Sequence, residues 1–201
     1  MLCQFTVKNF KSIRDEVTFD MQAAAISEHE DRIIIDKDEE KYLPVSAVYG
    51  PNGGGKSNVL AALHTLVAKV LRPLLATEDS EEKVLLQRKI IVEPFAFSKS
   101  KDEPTEFELF FRTTVSEYRY ILHVKRDIVL YESLDRVKLE TGRKSALFTR
   151  DENGIVLKGA FAKLKVSDEL SKTLTLLSYL GIAYKGNAVV KDVLSWFEYG
   201  I

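Results

Sequence analysis

The sequence predicts an α/β fold with a mixed sheet and a β-rich antiparallel lobe, and three observations carry this prediction. A short apolar run at residues 43–49 ends at a glycine-rich loop, which is typical of a buried strand. From Ser57 to about Leu75, apolar residues recur at helical spacing. Between residues 105 and 165, apolar and polar residues alternate and turn-like clusters separate the alternating runs, as in an antiparallel meander.

Composition and charge exclude several classes of protein. Hydrophobic residues make up 45% of the 201 residues and charged residues 29%, as in ordinary globular proteins. The net charge of −1 provides no global positive field for nucleic acid or an anionic membrane. The single cysteine, Cys3, excludes an internal disulfide framework and a cysteine-rich zinc module. Since no 18-residue uninterrupted apolar run and no cleavable leader pattern occurs, we expect a cytoplasmic protein with no membrane partner.

Alternation and charge predict the elements before the glycine-rich loop and the end of the helix after it. Residues 2–7 and 17–21 alternate between apolar and polar and are joined by a charged connection, which predicts an opening β-hairpin. Residues 27–42 are mostly charged around an isoleucine triplet, so we expect a solvated loop with a short edge strand. Pro73 and the charged residues after it predict the end of the long helix.

The C-terminal part of the sequence predicts a tight turn and two helices. Residues 151–154, Asp-Glu-Asn-Gly, are typical of a hairpin turn. Residues 167–179 place three leucines on one helical face after Ser167, a plausible N-cap. Residues 189–197 predict another short helix.

These elements suggest three segments, of which the last is expected to continue into a C-terminal half outside this sequence. They are a core at 1–93, a β-meander lobe of the same domain at 94–165, and a helical segment at 166–201.

Residues 50–57, Gly-Pro-Asn-Gly-Gly-Gly-Lys-Ser, satisfy the Walker A pattern G-x-x-x-x-G-K-[ST] between the predicted strand and helix. Glycines allow successive backbone N–H groups to turn inward around an anion, and the helix directs its N-terminus at the phosphates. Lys56 is placed to contact the β- and γ-phosphates, and the Ser57 hydroxyl to bind Mg²⁺. The sequence therefore predicts a nucleoside triphosphate site. The glycines concerned are Gly50, Gly53, Gly54 and Gly55.

Two stretches of the sequence carry a family resemblance. Residues 8–13, Lys-Asn-Phe-Lys-Ser-Ile, followed by residues 49–60 around the loop, resemble the opening of ABC-type ATPases of the SMC/RecF/OLD group. Asn52 and Asn58 are typical of the loop in that group, whereas Gly54 stands where serine or alanine is commoner. Residues 93–95 and the aromatic meander are similar to OLD-like and AAA-type ATP-binding proteins of bacterial phage-defence systems.

The resemblance implies a P-loop NTPase fold with an ABC/SMC-like head, of which this chain holds the N-terminal half. It implies ATP with Mg²⁺ as the ligand, Lys11 and Ser12 near the phosphates or ribose, and Arg14 beside the base. It also implies a homo-oligomer or a second ATPase half as partner, with DNA or an effector protein as the target. From charge alone, Lys11 and Arg14 are ordinary surface residues.

The motifs for hydrolysis are missing, so no catalytic residue is assigned. Residues 128–132 imitate the Walker B strand but lack the aspartate before Glu132, and residues 190–192 lack the apolar run. No signature like Leu-Ser-Gly-Gly occurs, and Gln87 is only a weak candidate for a metal-contacting glutamine. The three histidines are expected on the surface or on helix faces. They are His29, His64 and His123.

Three functions therefore stay open. The first is an ATP-binding subunit that works as a nucleotide-dependent dimer in DNA repair or phage defence. The second is a P-loop kinase or GTPase, although neither an adenylate-type lid nor an Asn-Lys-x-Asp element is present. The third is a non-catalytic interaction module whose P-loop is a relic and whose meander binds a partner.

Overall fold

A computed structural model of the chain describes residues 1–25, 30–76, 90–97, 102–167 and 170–200. A seven-stranded sheet forms its centre, with strands in the order β2-β1-β5-β6-β7-β8-β9. Two short strands, β3 and β4, form a separate pair. The strands are β1 Leu2–Lys8, β2 Val17–Asp20, β3 Ile34–Ile35, β4 Lys41–Tyr42, β5 Thr105–Arg112, β6 Ser116–Lys125, β7 Ile128–Lys138, β8 Lys144–Asp151 and β9 Gly154–Leu157.

The opening hairpin and the meander are both confirmed, and they belong to one sheet. β1 pairs with β2 on one side and with β5 on the other, so the sheet continues across the boundary expected near residue 93. Alternation places Phe107, Leu109 and Phe111 of β5 on the buried face. Tyr120 of β6 lies opposite Leu109, so aromatic and aliphatic side chains of neighbouring strands pack together. The turn of residues 151–154 joins β8 to β9 as the sequence predicts.

Three helices contribute to the core that covers the buried face of the sheet. α1 spans Lys56–Leu75, α2 spans Leu176–Ala183 and α3 spans Ala188–Tyr199. α3 confirms the helix predicted at 189–197. α1 confirms the long helix predicted from Ser57 to about Leu75, and Pro73 lies inside its last turn.

By length and composition alone, α1 would also suit a membrane-spanning helix. Leu66 and Val70 of this helix are fully buried in the same cluster as the sheet residues. Lys69 is also buried, and its ammonium donates to the Asp127 carbonyl at 2.8 Å.

The strand predicted at residues 43–49 is wrong, and in the described ranges the sheet is antiparallel where the sequence predicts a mixed one. Residues 43–50 form no strand, and Val45 is 79% exposed. An apolar run becomes a strand only when a neighbouring strand offers a hydrogen-bonding ladder. All strand pairings in the described part of the chain are antiparallel, and residues 43–49 take part in none of them.

The helix predicted at 167–179 begins later, at Leu176. Residues 170–175 are not helical, and the N-cap is Thr175 instead of Ser167. The Thr175 hydroxyl accepts a hydrogen bond from the Ser178 backbone N–H at 3.1 Å. The carboxylate of Glu132 on β7 accepts from the N–H groups of Leu176 and Leu177 at 2.6 and 2.9 Å. These partners satisfy N–H groups that the helix itself leaves unpaired, so a tertiary contact fixes the start of α2.

Glu132 is the centre of a buried polar group that joins the sheet to α2. Its carboxylate is fully buried and accepts a hydrogen bond from the Tyr120 hydroxyl at 2.9 Å. The Arg150 guanidinium lies 4.0 Å from it and donates to the Leu174 carbonyl. Burial raises the pKa of Glu132, and the hydrogen bonds to the carboxylate oppose that rise. The nearest imitation of a Walker B glutamate is therefore a structural residue.

Replacing Glu132 tests this structural role. The Glu132→Ala change leaves two helix N–H groups and the Tyr120 hydroxyl without their acceptor, so we expect the free energy of unfolding to fall by about 3 kcal/mol. Urea denaturation measures the loss, and Glu152→Ala in the exposed β8–β9 turn is the control. If the free energy of unfolding falls by the same small amount in both variants, Glu132 does not hold α2.

Candidate functional site

The glycine-rich loop leads directly into α1. Gly53 and Gly55 have φ values of +79° and +83°, a region that side chains with a Cβ rarely adopt. Gly55 is the N-cap of α1, so no side chain caps the helix, and its first turn holds no acidic residue. The N-terminal N–H groups of α1 therefore have no side-chain cap, and an anion can accept hydrogen bonds from such groups.

The Lys56 side chain lies at this loop. Its ammonium donates to the carbonyl oxygens of Gly50 and Pro51, both at 2.8 Å. The side chain folds back over the loop that precedes it, and a phosphate group entering the loop would meet the ammonium there. The other motif residues, Asn52 and Ser57, are exposed, with Ser57 in the first turn of α1.

The connection between β1 and β2 lies against the loop. The Ser12 hydroxyl accepts a hydrogen bond from the Asn58 side chain at 2.6 Å. A Cβ added to Gly55 would come within 3.0 Å of the same hydroxyl oxygen. The sequence element of residues 8–13 and the Walker A loop are thus neighbours in space. The Lys11 ammonium lies 5.4 Å from the centre of the Phe10 ring.

A cleft of about 700 Å³ opens between this connection and the loop. Clefts of this size hold small organic ligands. Its lining includes Gly54 and Lys56 but neither Lys11 nor Ser57. The lining residues are Ser12, Ile13, Arg14, Asp15, Val17, Val48, Tyr49, Gly50, Pro51, Gly53, Gly54, Gly55, Lys56, Val59 and Phe95.

Asp15 is the one carboxylate among these lining residues, and Arg14 holds it. The Arg14 Nη2 lies 2.7 Å from Asp15 Oδ2, and its Nε lies 3.1 Å from both carboxylate oxygens. This contact lowers the pKa of Asp15 below its ordinary value, which weakens the carboxylate as a base. Asp15 directly follows the arginine expected beside a base, but no motif in the sequence marks it as a site residue.

Asn9 is a further residue whose role the sequence analysis missed. It is 1% exposed, with a φ of +56°. Its amide nitrogen donates to the carbonyls of Glu103 and Pro104 at 3.0 and 3.1 Å. Its amide oxygen accepts from the Phe95 N–H at 3.0 Å. Asn9 thereby fixes Phe95 beside the cleft, and the sequence signals for it were its place directly after a strand and within the resembling stretch of residues 8–13.

The remaining candidate residues lie elsewhere. Asp192 is on α3, where it accepts from the Tyr118 hydroxyl at 2.7 Å, so residues 190–192 form no Walker B strand. His64 is exposed on α1, and His123 on β6 packs against Tyr131, where burial lowers its pKa.

His29 and Gln87 lie outside the described residues. Within the described ranges, no group of three or more histidine, cysteine, aspartate or glutamate side chains could hold a metal ion.

Comparison with known proteins finds one family whose model matches this chain. The model of a family described as "AAA domain, putative AbiEii toxin, Type IV TA system" matches residues 45–187, well over half of the chain. The match includes the Walker A loop, α1 and the meander. The comparison with curated proteins gives no match.

Gly53 and Gly55, the two left-handed glycines of the loop, allow a test of the contact between Ser12 and the loop. A left-handed conformation costs an ordinary residue about 1–2 kcal/mol, so both Gly53→Ala and Gly55→Ala should destabilise the chain. The loss should be larger for Gly55→Ala, because its Cβ also meets the Ser12 hydroxyl whereas a Cβ on Gly53 meets nothing within 4 Å. Urea denaturation measures both losses. If adding Ser12→Ala to Gly55→Ala does not reduce the extra loss relative to Gly53→Ala, the contact between the new Cβ and the Ser12 hydroxyl does not cause that extra loss.

Proposed function

Because this chain belongs to that AAA-domain family and is a P-loop ATPase-type domain, we propose that it binds ATP with Mg²⁺ at residues 50–57. One observation carries the proposal: the glycine loop directs the uncapped N-terminus of α1 and the Lys56 ammonium to the same place. Backbone N–H groups and a lysine at a helix N-terminus are the usual partners of a polyphosphate.

The roles of the site residues follow from their positions. The N–H groups of Gly53, Gly54 and Gly55 would hold the phosphates together with Lys56, and the exposed Ser57 hydroxyl would bind Mg²⁺. Ser12 and Asn58 support the loop through their mutual hydrogen bond. Asn52 is part of the loop itself. Lys11, three residues before Arg14, adds a positive charge on the neighbouring connection and would act on phosphate or ribose at longer range.

We further propose that the site works with a second ATPase half or a second copy of the chain. The support is the segment 43–49, which has the composition of a buried strand although Val45 and Val48 are exposed. An exposed apolar segment of this kind is typical of a surface that another strand covers. A role in DNA maintenance or phage defence is the biological setting we propose. It rests on the OLD-like resemblance and on the toxin–antitoxin system named in the family description.

A non-catalytic module with a relic P-loop is the second candidate. The observation in its favour is that Arg14 already engages Asp15, the carboxylate that lines the cleft. Positioning of the attacking water by a placed group contributes much of the rate in phosphoryl transfer. Nucleotide binding distinguishes the two candidates, because the ATP-binding domain requires it and the relic module does not.

Nucleotide titration of the Lys56→Ala variant tests the proposed site. Charge-assisted hydrogen bonds contribute about 1.5–3 kcal/mol each, so removing the ammonium should raise the Kd for ATP–Mg²⁺ at least tenfold. Calorimetry measures the Kd, and Lys125→Ala at the exposed end of β6 is the matched control. The fold should be unchanged, because the Lys56 side chain contacts the loop and not the core.

A phosphate-release assay on the same samples tests turnover. We expect binding with negligible release from the 201-residue chain, since Asp15 is engaged by Arg14. Robust release that Lys56→Ala abolishes would contradict this expectation. If the unmodified chain binds no nucleotide, the result favours the non-catalytic module with a relic P-loop.

A further inference from the structure

We propose that Phe95 is the side chain on which the base of the bound nucleotide stacks. The inference rests on the proposed function, because it takes the phosphates to lie at residues 50–57. It adds a prediction of selectivity: the cleft prefers nucleotides to bare polyphosphates, and it tolerates different bases.

The lining of the cleft leads to this residue. A nucleotide with its phosphates on the glycine loop must place its base against the other lining residues. A planar base packs most favourably against an aromatic face. Two aromatic side chains line the cleft, Tyr49 and Phe95.

Phe95 is held in place, whereas Tyr49 is not. The Phe95 N–H is bound to the buried Asn9 side chain at 3.0 Å, and its ring packs edge-to-face on Phe97 with centroids 5.8 Å apart. The Tyr49 side chain is 90% exposed and directly precedes the loop. Binding to an already ordered side chain costs less entropy than ordering a free one. Phe95 is therefore the better platform.

The backbone around Phe95 is tied to the wall opposite the loop. The Lys11 N–H donates to the Glu93 carbonyl at 2.9 Å, and the Val92 N–H donates to the Arg126 carbonyl at 2.8 Å. Residues 92–95 are thus fastened at two points, Asn9 and Lys11, to the connection that also carries Ser12, and at a third point to the turn between β6 and β7.

Arg14 is the competing platform, because a guanidinium is also planar and lines the cleft. Its contacts with Asp15 engage both Nε and Nη2, and its side chain is 59% exposed. Stacking on Arg14 would leave the base largely in water. Phe95, which is half-buried, offers the base a drier face.

Comparing ATP with inorganic tripolyphosphate separates the base from the phosphates. Both ligands are titrated with Mg²⁺ by calorimetry into the 201-residue chain and into Phe95→Ala. Base–aromatic stacking corresponds to a change in affinity of about 10- to 100-fold. We expect Phe95→Ala to weaken ATP by this factor and to leave tripolyphosphate unchanged. Phe95→Trp should keep the affinity for ATP, and GTP should behave as ATP does.

Three further variants make the test specific. Tyr199→Ala removes an exposed ring on α3 that does not line the cleft, and it should have little effect on either ligand. Tyr49→Ala and Arg14→Ala remove the competing platforms. A selective loss of ATP binding in either of these, or an equal loss of both ligands in Phe95→Ala, overturns the inference.

The failure of this inference differs from the failure of the proposed function. If the unmodified chain binds ATP and Lys56→Ala prevents it, but Phe95→Ala has no effect, only the stacking role is wrong. If the unmodified chain binds neither ATP nor tripolyphosphate, the nucleotide site itself is wrong, and the stacking role is overturned with it.

Discussion

The side chain of Asn9 continues the contact between β1 and β5 beyond the end of their hydrogen-bonded ladder and joins both strands to Phe95. It connects the end of β1 to Phe95 and to the chain just before β5, and its own carbonyl accepts from the Thr105 hydroxyl at 2.6 Å. Asparagine adopts a positive φ more readily than most residues, and here the value is +56°. Because Asn9 is buried, loss of its amide would leave backbone groups unpaired. One side chain thus sets the wall of the cleft that faces the glycine loop.

The glycine loop depends on that wall because the segment before it is not part of a sheet. Residues 43–50 form no strand, so the loop is held from α1 on one side and from Ser12 on the other. The Ser12 hydroxyl binds Asn58 in α1, and Asn58 donates its N–H to the Gly55 carbonyl at 2.9 Å. The connection between β1 and β2 therefore substitutes for part of the support that a strand before the loop would provide.

Local patterns predicted the parts of the fold that depend on local physics. The alternation over residues 105–165 gave the meander, and the Walker A pattern with apolar residues at helical spacing gave α1. The strand at 43–49 failed because pairing depends on a neighbour, which composition does not reveal. The start of α2 failed because Glu132, more than forty residues earlier in sequence, accepts its first N–H groups.

The site itself divides in the same way. The loop residues were readable because each one has a local requirement, such as a positive φ at Gly55. The supporting residues were not, because Asn9 and Phe95 matter only through hydrogen bonds that close long loops. Glu132 illustrates the opposite error, since an apolar strand ending in glutamate resembles a catalytic motif whereas the structure buries that carboxylate beneath α2.

The distribution of charge favours holding a polyanion over cleaving it. Glu132 accepts from α2, Asp192 from Tyr118, and Asp15 is paired with Arg14, so these three carboxylates already have partners. At the cleft, the Lys56 ammonium donates to two neutral carbonyl oxygens, and no acidic residue lies in the first turn of α1. The loop therefore presents an ammonium and helix N–H groups without a side-chain cap, and both attract phosphates. In the proposed function these groups hold the nucleotide, while the three carboxylates above remain engaged with their own partners.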